Sequence, residues 1–237
     1  MRNARNQHQV RSRAKAVDTE HKHCKVIGCP HPPRAATRNG LDTRFCRSHA
    51  DFYSRHGSPY KGSYSAAQLQ PYRKVVRKWL KENRENVWVR NAVTRVRGLY
   101  DRAGPHEEAF RLAGMSAQER GRKAWARLRN AGVSPLKVVE AWLVVDQAIM
   151  HDPQPVETSE FHRVQAAKLV HRLASGSHKR WEREIRRMVG VANVPIVEVT
   201  ELHKYPQSRG KVLRVIGADI DEACGLVTEA ARRDLQD

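Results

Sequence analysis

No stretch of the 237-residue sequence approaches the roughly 18 consecutive apolar residues that a membrane-spanning helix needs. The first 18 residues, MRNARNQHQVRSRAKAVD, also lack the apolar core of a secretory signal, so an intracellular protein without a membrane partner is expected. Acidic residues are few where basic ones are dense. Residues 1–81 hold 18 Lys and Arg against 4 Asp and Glu, which places +14 of the net +19 in the first third. Catalytic signatures are missing too: there is no Walker loop, no Gly-x-Ser-x-Gly elbow and no metal-carboxylate pattern. A non-enzymatic role is the expectation. Cysteines number four, and three of them fall within 23 residues beside several histidines; in a reducing compartment such clustering favours a metal over disulfides. The fourth, Cys224, reads as an ordinary buried thiol.

What is present is enough to fold. Hydrophobic residues make up 40% of the chain, sufficient for a packed core in one large domain or two ordinary ones. A charge of +19 opposes compaction by self-repulsion and suits a polyanionic partner, nucleic acid first.

Hydrophobic periodicity predicts a mainly α protein, with a small N-terminal module, a helical domain and a short C-terminal β-hairpin. Residues 1–20 read as a flexible basic arm, 21–60 as the module, 61–192 as the helical domain and 193–237 as a hairpin plus a last helix. HGSPYKGSYS, with its glycines, proline and serines, marks the boundary after the module. Val75, Val76, Trp79 and Leu80, then Val89, Val93, Val96 and Tyr100, recur at helical spacing. Ser116 with Glu119 forms a capping-box pattern, and Ser134-Pro135 suits a second start. Residues 116–150 have the outline of a helix-turn-helix, but PLKVVEAWLVVDQAIM is too apolar to read bases and is assigned to the core. Residues 177–189 are expected to form a basic helix around Trp181, Ile185 and Met188. IVEVTEL and KVLRVIG are expected to be the two hairpin strands, and Asp219 or Asp221 to open the last helix.

Within the module, Cys24 and Cys29 flank Lys-Val-Ile-Gly, where Gly28 lets the backbone curl. Cys46 and His49 stand three apart, as on one helical turn. Two such pairs are the ligand set of one structural Zn2+ ion, and four protein ligands leave no open position for catalysis. CKVIGCPHPPRAATRNGLDTRFCRSHADFYSRHGSP resembles the short zinc-binding segment of phage and bacterial mobile-element proteins. There a Cys pair, a Gly-Leu-Cys-x-x-His stretch and a basic helix ending in His-Gly-x-Pro follow in order. The resemblance covers residues 24–59. It implies metal and nucleic-acid binding in the cytoplasm of a bacterial or phage-infected cell. The segment often precedes an HNH nuclease core, but here no His, Asn, His cluster follows, and residues 42–45 lengthen the Gly-Leu-Cys stretch.

Arg34, Arg38, Arg44, Arg47 and Arg55 lie on or beside the metal loop, with Tyr53, His56, Tyr60 and Lys61 available for stacking or phosphate contacts. Arg73, Lys74, Arg77, Lys78 and Lys81 then repeat at helical spacing as a basic face. Further candidates are Arg120, Arg122, Lys123, Arg127 and Arg129, and a second basic run of Lys179, Arg180, Arg183, Arg186 and Arg187. The function read from these residues is a nucleic-acid-binding accessory or regulatory protein, its helical domain docking a protein partner or a second copy. The alternatives are a nuclease or recombinase-type enzyme and an RNA-binding component of a ribonucleoprotein.

Overall fold

A computed structural model of the chain describes residues 11–13, 17, 20–37, 40–154, 159–174, 176–189, 192–205 and 210–235. The arm over 1–20 lies almost wholly outside these residues, as does Arg38. In chain order the elements are α1 (Arg47–His56), α2 (Ala66–Glu82), α3 (Val87–Arg102), α4 (Ala117–Asn130), α5 (Pro135–Met150) and α6 (Ser159–His171). They continue with β1 (Ser177–Val189), β2 (Ala192–Lys204) and α7 (Lys211–Leu235). Short 3-10 turns lie at Arg34–Ala36 and Ala109–Leu112. The mainly α architecture is the one that the periodicity predicts.

Local chemistry sets the helix starts. Ser65 caps α2 and Ser116 caps α4, each in a full capping box, with Gln68 and Glu119 reaching back to the cap backbone. The Asn86 side chain accepts from Trp88 N–H at the head of α3, and Pro135 occupies the first turn of α5 after Ser134.

The core is built around α5 and α7. α5 buries side chains on nearly every side, including Val138, Val139, Trp142, Leu143 and Val145, and packs against α2, α3, α6 and α7. α7 runs along α3, α4, α5 and α6, burying Val212, Ile216, Ile220, Cys224 and Val227. Each such side chain contributes about 1.5–3 kcal/mol by leaving water. Several of the buried polar groups are matched. Trp142 Nε1 donates to Thr228 Oγ1 at 2.7 Å, and Arg232 forks onto both oxygens of Asp146 at 2.9 and 2.6 Å. Because α5 is interior, it is a core element and not a base-reading helix.

Four expectations are corrected. Residues 177–189 form strand β1, paired antiparallel with β2 so that Ser177 faces Lys204 and Val189 faces Ala192. Lys211 to Gly217, expected as a strand, is the first two turns of α7. Asp219 and Asp221 do not start a helix. Asp219 accepts from Trp125 Nε1 at 2.7 Å, and Asp221 pairs with Arg163. Val75 lies on the outer side of α2, while Val76, Trp79 and Leu80 point inward. The hairpin therefore spans both sides of the expected boundary at 192, and α7 belongs to the helical core. Trp181, Val197, Val199 and Leu202 on the hairpin stay exposed, and near its base Lys179 pairs with Glu108 at 2.9 Å.

Candidate metal centre and its basic surroundings

The module has almost no apolar interior: Cys24, Phe45 and Cys46 are its buried cluster. Backbone bonds lace its two halves together, from Cys24 N–H to His31 O, Lys25 N–H to Arg44 O, Arg34 N–H to Phe45 O and Ala35 N–H to Asp42 O. A turn closed by Cys29 N–H to Val26 O, with Gly28 at φ 75°, swings Cys29 back toward Cys24. Cys46 is the N-cap residue of α1 and His49 lies in its first turn, which aims both side chains at the first pair.

The four ligand atoms of Cys24, Cys29, Cys46 and His49 lie within 4.8 Å of one another. Cys29 Sγ stands 3.9 Å from Cys46 Sγ, and His49 Nδ1 stands 3.4 Å from both Cys24 Sγ and Cys46 Sγ. Metal–sulfur bonds of about 2.3 Å in a tetrahedron put sulfurs about 3.8 Å apart, so the spacing fits one ion. All four cysteines are free, and a sulfur separation of 3.9 Å is far too long for a disulfide. The Cys24 thiol is held below its ordinary value. Burial pushes it up, but hydrogen bonds from backbone groups at Val26 and Cys46 outweigh that and favour the thiolate that a metal requires.

Around this centre the sequence-predicted residues divide. Arg44, Arg47, Arg55 and Tyr60 are exposed, with Arg44 stacked over the rings of Phe45 and Tyr53 at 5.2 and 5.5 Å. Arg34 is half-buried in the 3-10 turn. A cleft of about 490 Å³ opens beside the ligands, lined by His31, Thr37, Arg47 and Asp51 among others. On α2, Lys74, Lys78 and Lys81 are exposed and Arg73 is half-buried. Arg77 is drawn to Glu140 of α5 at 2.6 Å. Lys61 turns inward, pairing with Asp152 and donating to Gln154 O at 2.6 Å.

Other basic candidates serve the fold. Arg127 is buried, donates to His171 O at 2.8 Å, and is pushed down to about 10 by burial. Arg129 caps the end of α3 through Tyr100 O and Gly104 O, and Lys123 donates to Pro105 O. Lys179, Arg180, Arg183 and Arg186 alternate between the two faces of β1, so no single stripe forms. Arg180 lies opposite Glu201, and Arg183 opposite Glu198.

Sequence reasoning missed the joint between module and body. The last carbonyls of α1 are short of helical partners; Tyr53 O accepts from Gly57 N–H at 2.8 Å, and the body supplies further donors. Arg214 donates to Tyr53 O and Ser54 O at 3.2 Å, and Gln165 Nε2 donates to His56 O at 2.8 Å. Glu160 accepts from the Tyr53 hydroxyl and from Arg214. Gly57, at φ 78°, passes so close that a Cβ there would sit 2.9 Å from Glu160 O. The His-Gly-Ser-Pro signature was the available signal, since a left-handed glycine directly after a helix marks a tight exit. No family model, curated protein or solved structure matches the chain.

Proposed function

We propose that the module carries one structural zinc ion and, with the exposed arginines around it and the basic face of α2, grips the phosphate backbone of a nucleic acid. The protein is then a non-enzymatic accessory or regulatory factor. The observation that carries this reading is a closed Cys3His donor set with Arg44, Arg47 and Arg55 exposed around it. Three thiolates and an imidazole are the donors that zinc prefers, and a fully ligated ion stabilises structure without activating water. Guanidinium groups held on a rigid frame suit bidentate phosphate contacts. The resemblance of residues 24–59 to mobile-element zinc segments supports a phage or mobile-element setting.

The test is binding of the metal-loaded chain to duplex DNA and to structured RNA across a salt series. Each phosphate neutralised contributes a slope of about −0.9 in log K against log salt on B-DNA, so several contacts give a steep line. Affinity that ignores salt would overturn the electrostatic grip, and specific cleavage with added magnesium would overturn the non-enzymatic reading.

A further inference from the structure

Where the last turn of α1 meets α6, three side chains converge that no carboxylate among the described residues neutralises. Lys168 Nζ lies 2.6 Å from Ser63 Oγ and 3.3 Å from His56 Nδ1, and those last two atoms are 3.1 Å apart. Ser63 is exposed, while His56 and Lys168 are partly buried. The charged and titratable groups facing the cluster are Arg55 beside His56 on α1 and Arg172 just past α6; among the described residues no acid pairs with Lys168.

Hydrogen-bond capacity is lopsided here. An ammonium brings three donors, the serine hydroxyl one, and a neutral imidazole that accepts at Nδ1 one more at Nε2. The acceptors are only the serine oxygen and one ring nitrogen, so donors remain over. Charge is lopsided in the same sense. Burial, and then Arg172, push the Lys168 ammonium down to about 8, and burial followed by Lys168 and Arg55 keeps the His56 ring neutral to lower pH. An anion with several acceptor oxygens would satisfy the spare donors and relieve the repulsion together.

We propose that His56, Ser63 and Lys168 form a phosphate-binding site at the joint between module and body, through which a nucleic-acid backbone held by the module is also fastened to the helical domain. The site rests on the nucleic-acid reading for its natural ligand but not for its anion chemistry. One phosphodiester group, its oxygens taking donors from Lys168 Nζ and Ser63 Oγ, fits the arrangement. Binding at the joint would make the module and the body grip one strand as a unit.

Two measurements on the full, metal-loaded chain separate the claims. The first follows the Lys168 titration by NMR of labelled lysine methylenes, with and without inorganic phosphate. Bound phosphate should raise the ammonium's pKa by about one unit, because an opposite charge favours the protonated form. The second compares duplex affinity for the wild type, Lys168→Met, Ser63→Ala and Lys168→Arg. Lys168→Met should weaken binding roughly tenfold and reduce the salt slope by about one contact, and Lys168→Arg should restore most of both. An unmoved Lys168 titration with unchanged affinity in every variant would overturn the site while leaving nucleic-acid binding by the module intact. A chain that binds no nucleic acid but whose Lys168 responds to phosphate would overturn the proposed function and keep the anion site. A phosphate response with duplex affinity unchanged in all variants would overturn the fastening of the backbone and assign the site to a free phosphoryl group.

Discussion

The metal module and the helical body reach stability by opposite routes. The body buries a continuous apolar cluster drawn from α2 to α7, whereas among the module's described residues the buried apolar side chains are Cys24, Ala35, Phe45 and Cys46. A segment of about forty residues with so small a core cannot offset its chain entropy by burial, and a metal ion held by the four donors would supply the missing stability. The body, with 32 Lys and Arg against 21 Asp and Glu over residues 61–237, has a lower density of net positive charge than the module, with 7 against 2 over residues 21–60, and its apolar core needs no such help. What the contrast teaches is a division of labour in which net positive charge is denser on the segment whose four donors could hold a metal ion. An ion fixes backbone without requiring apolar side chains, which leaves the module's surface free for arginine.

The largest effect that would break this comparison comes from the metal. Cys46→Ala, or removal of the ion by a chelator, forfeits a binding free energy on the order of 10–16 kcal/mol and should unfold residues 21–60. The body should keep its helices, so far-UV circular dichroism should change little while hydrogen exchange in the module becomes fast. Loss of the whole helical signal on chelation would contradict separate stabilisation. In the body, Leu143→Ala removes a side chain only 1% exposed and should cost about 2–5 kcal/mol in denaturant unfolding, with metal stoichiometry unchanged.

Acid should also act on the body. Burial first, and then Arg127, Arg120 and Arg172, drive His171 down to about 3. The unfolded chain takes up that proton near pH 6.5, so stability is full above this value and falls as pH drops toward 3. His171→Gln should flatten that acid limb in pH-dependent thermal melts; an identical limb would remove His171 as its cause. Smallest is the cap of α4. Ser116→Ala loses the bond to Glu119 N–H and should cost about 1 kcal/mol, read as a small shift in denaturant midpoint without change at the metal.

The two regions also differed in how far their sequence could be read. The four candidate donors were legible because metal-ligand sets impose spacing on a chain, and their convergence in space follows from two local turns. The capping boxes at Ser65 and Ser116 and the apolar wrap of α5 are equally local signals; the pattern at Ser116 and the burial of α5 were legible in advance. The hairpin was misread for a geometric reason. Trp181 and Ile185 stand four apart, a spacing that places them on one face of a helix and on one face of a strand alike. Lys211 to Gly217 was misread because its β-branched residues weigh toward strand when taken alone. Carried on through Val212, Ile216, Ile220, Cys224 and Val227, the steps of four and three disclose a helix whose burial overrides that propensity. The joint of Tyr53, Glu160, Lys168 and Arg214 joins positions more than a hundred residues apart, and no local pattern marks such a meeting.

The central claim is that the ion supports the grip on nucleic acid and not merely the module's fold. Duplex affinity across a salt series, measured on the metal-loaded chain and on the chelated chain with its body shown intact by circular dichroism, tests it most directly. The account predicts a steep salt slope with metal and a loss of both affinity and slope without it. Equal affinity and slope in the two states would contradict it and reduce the centre to a structural staple.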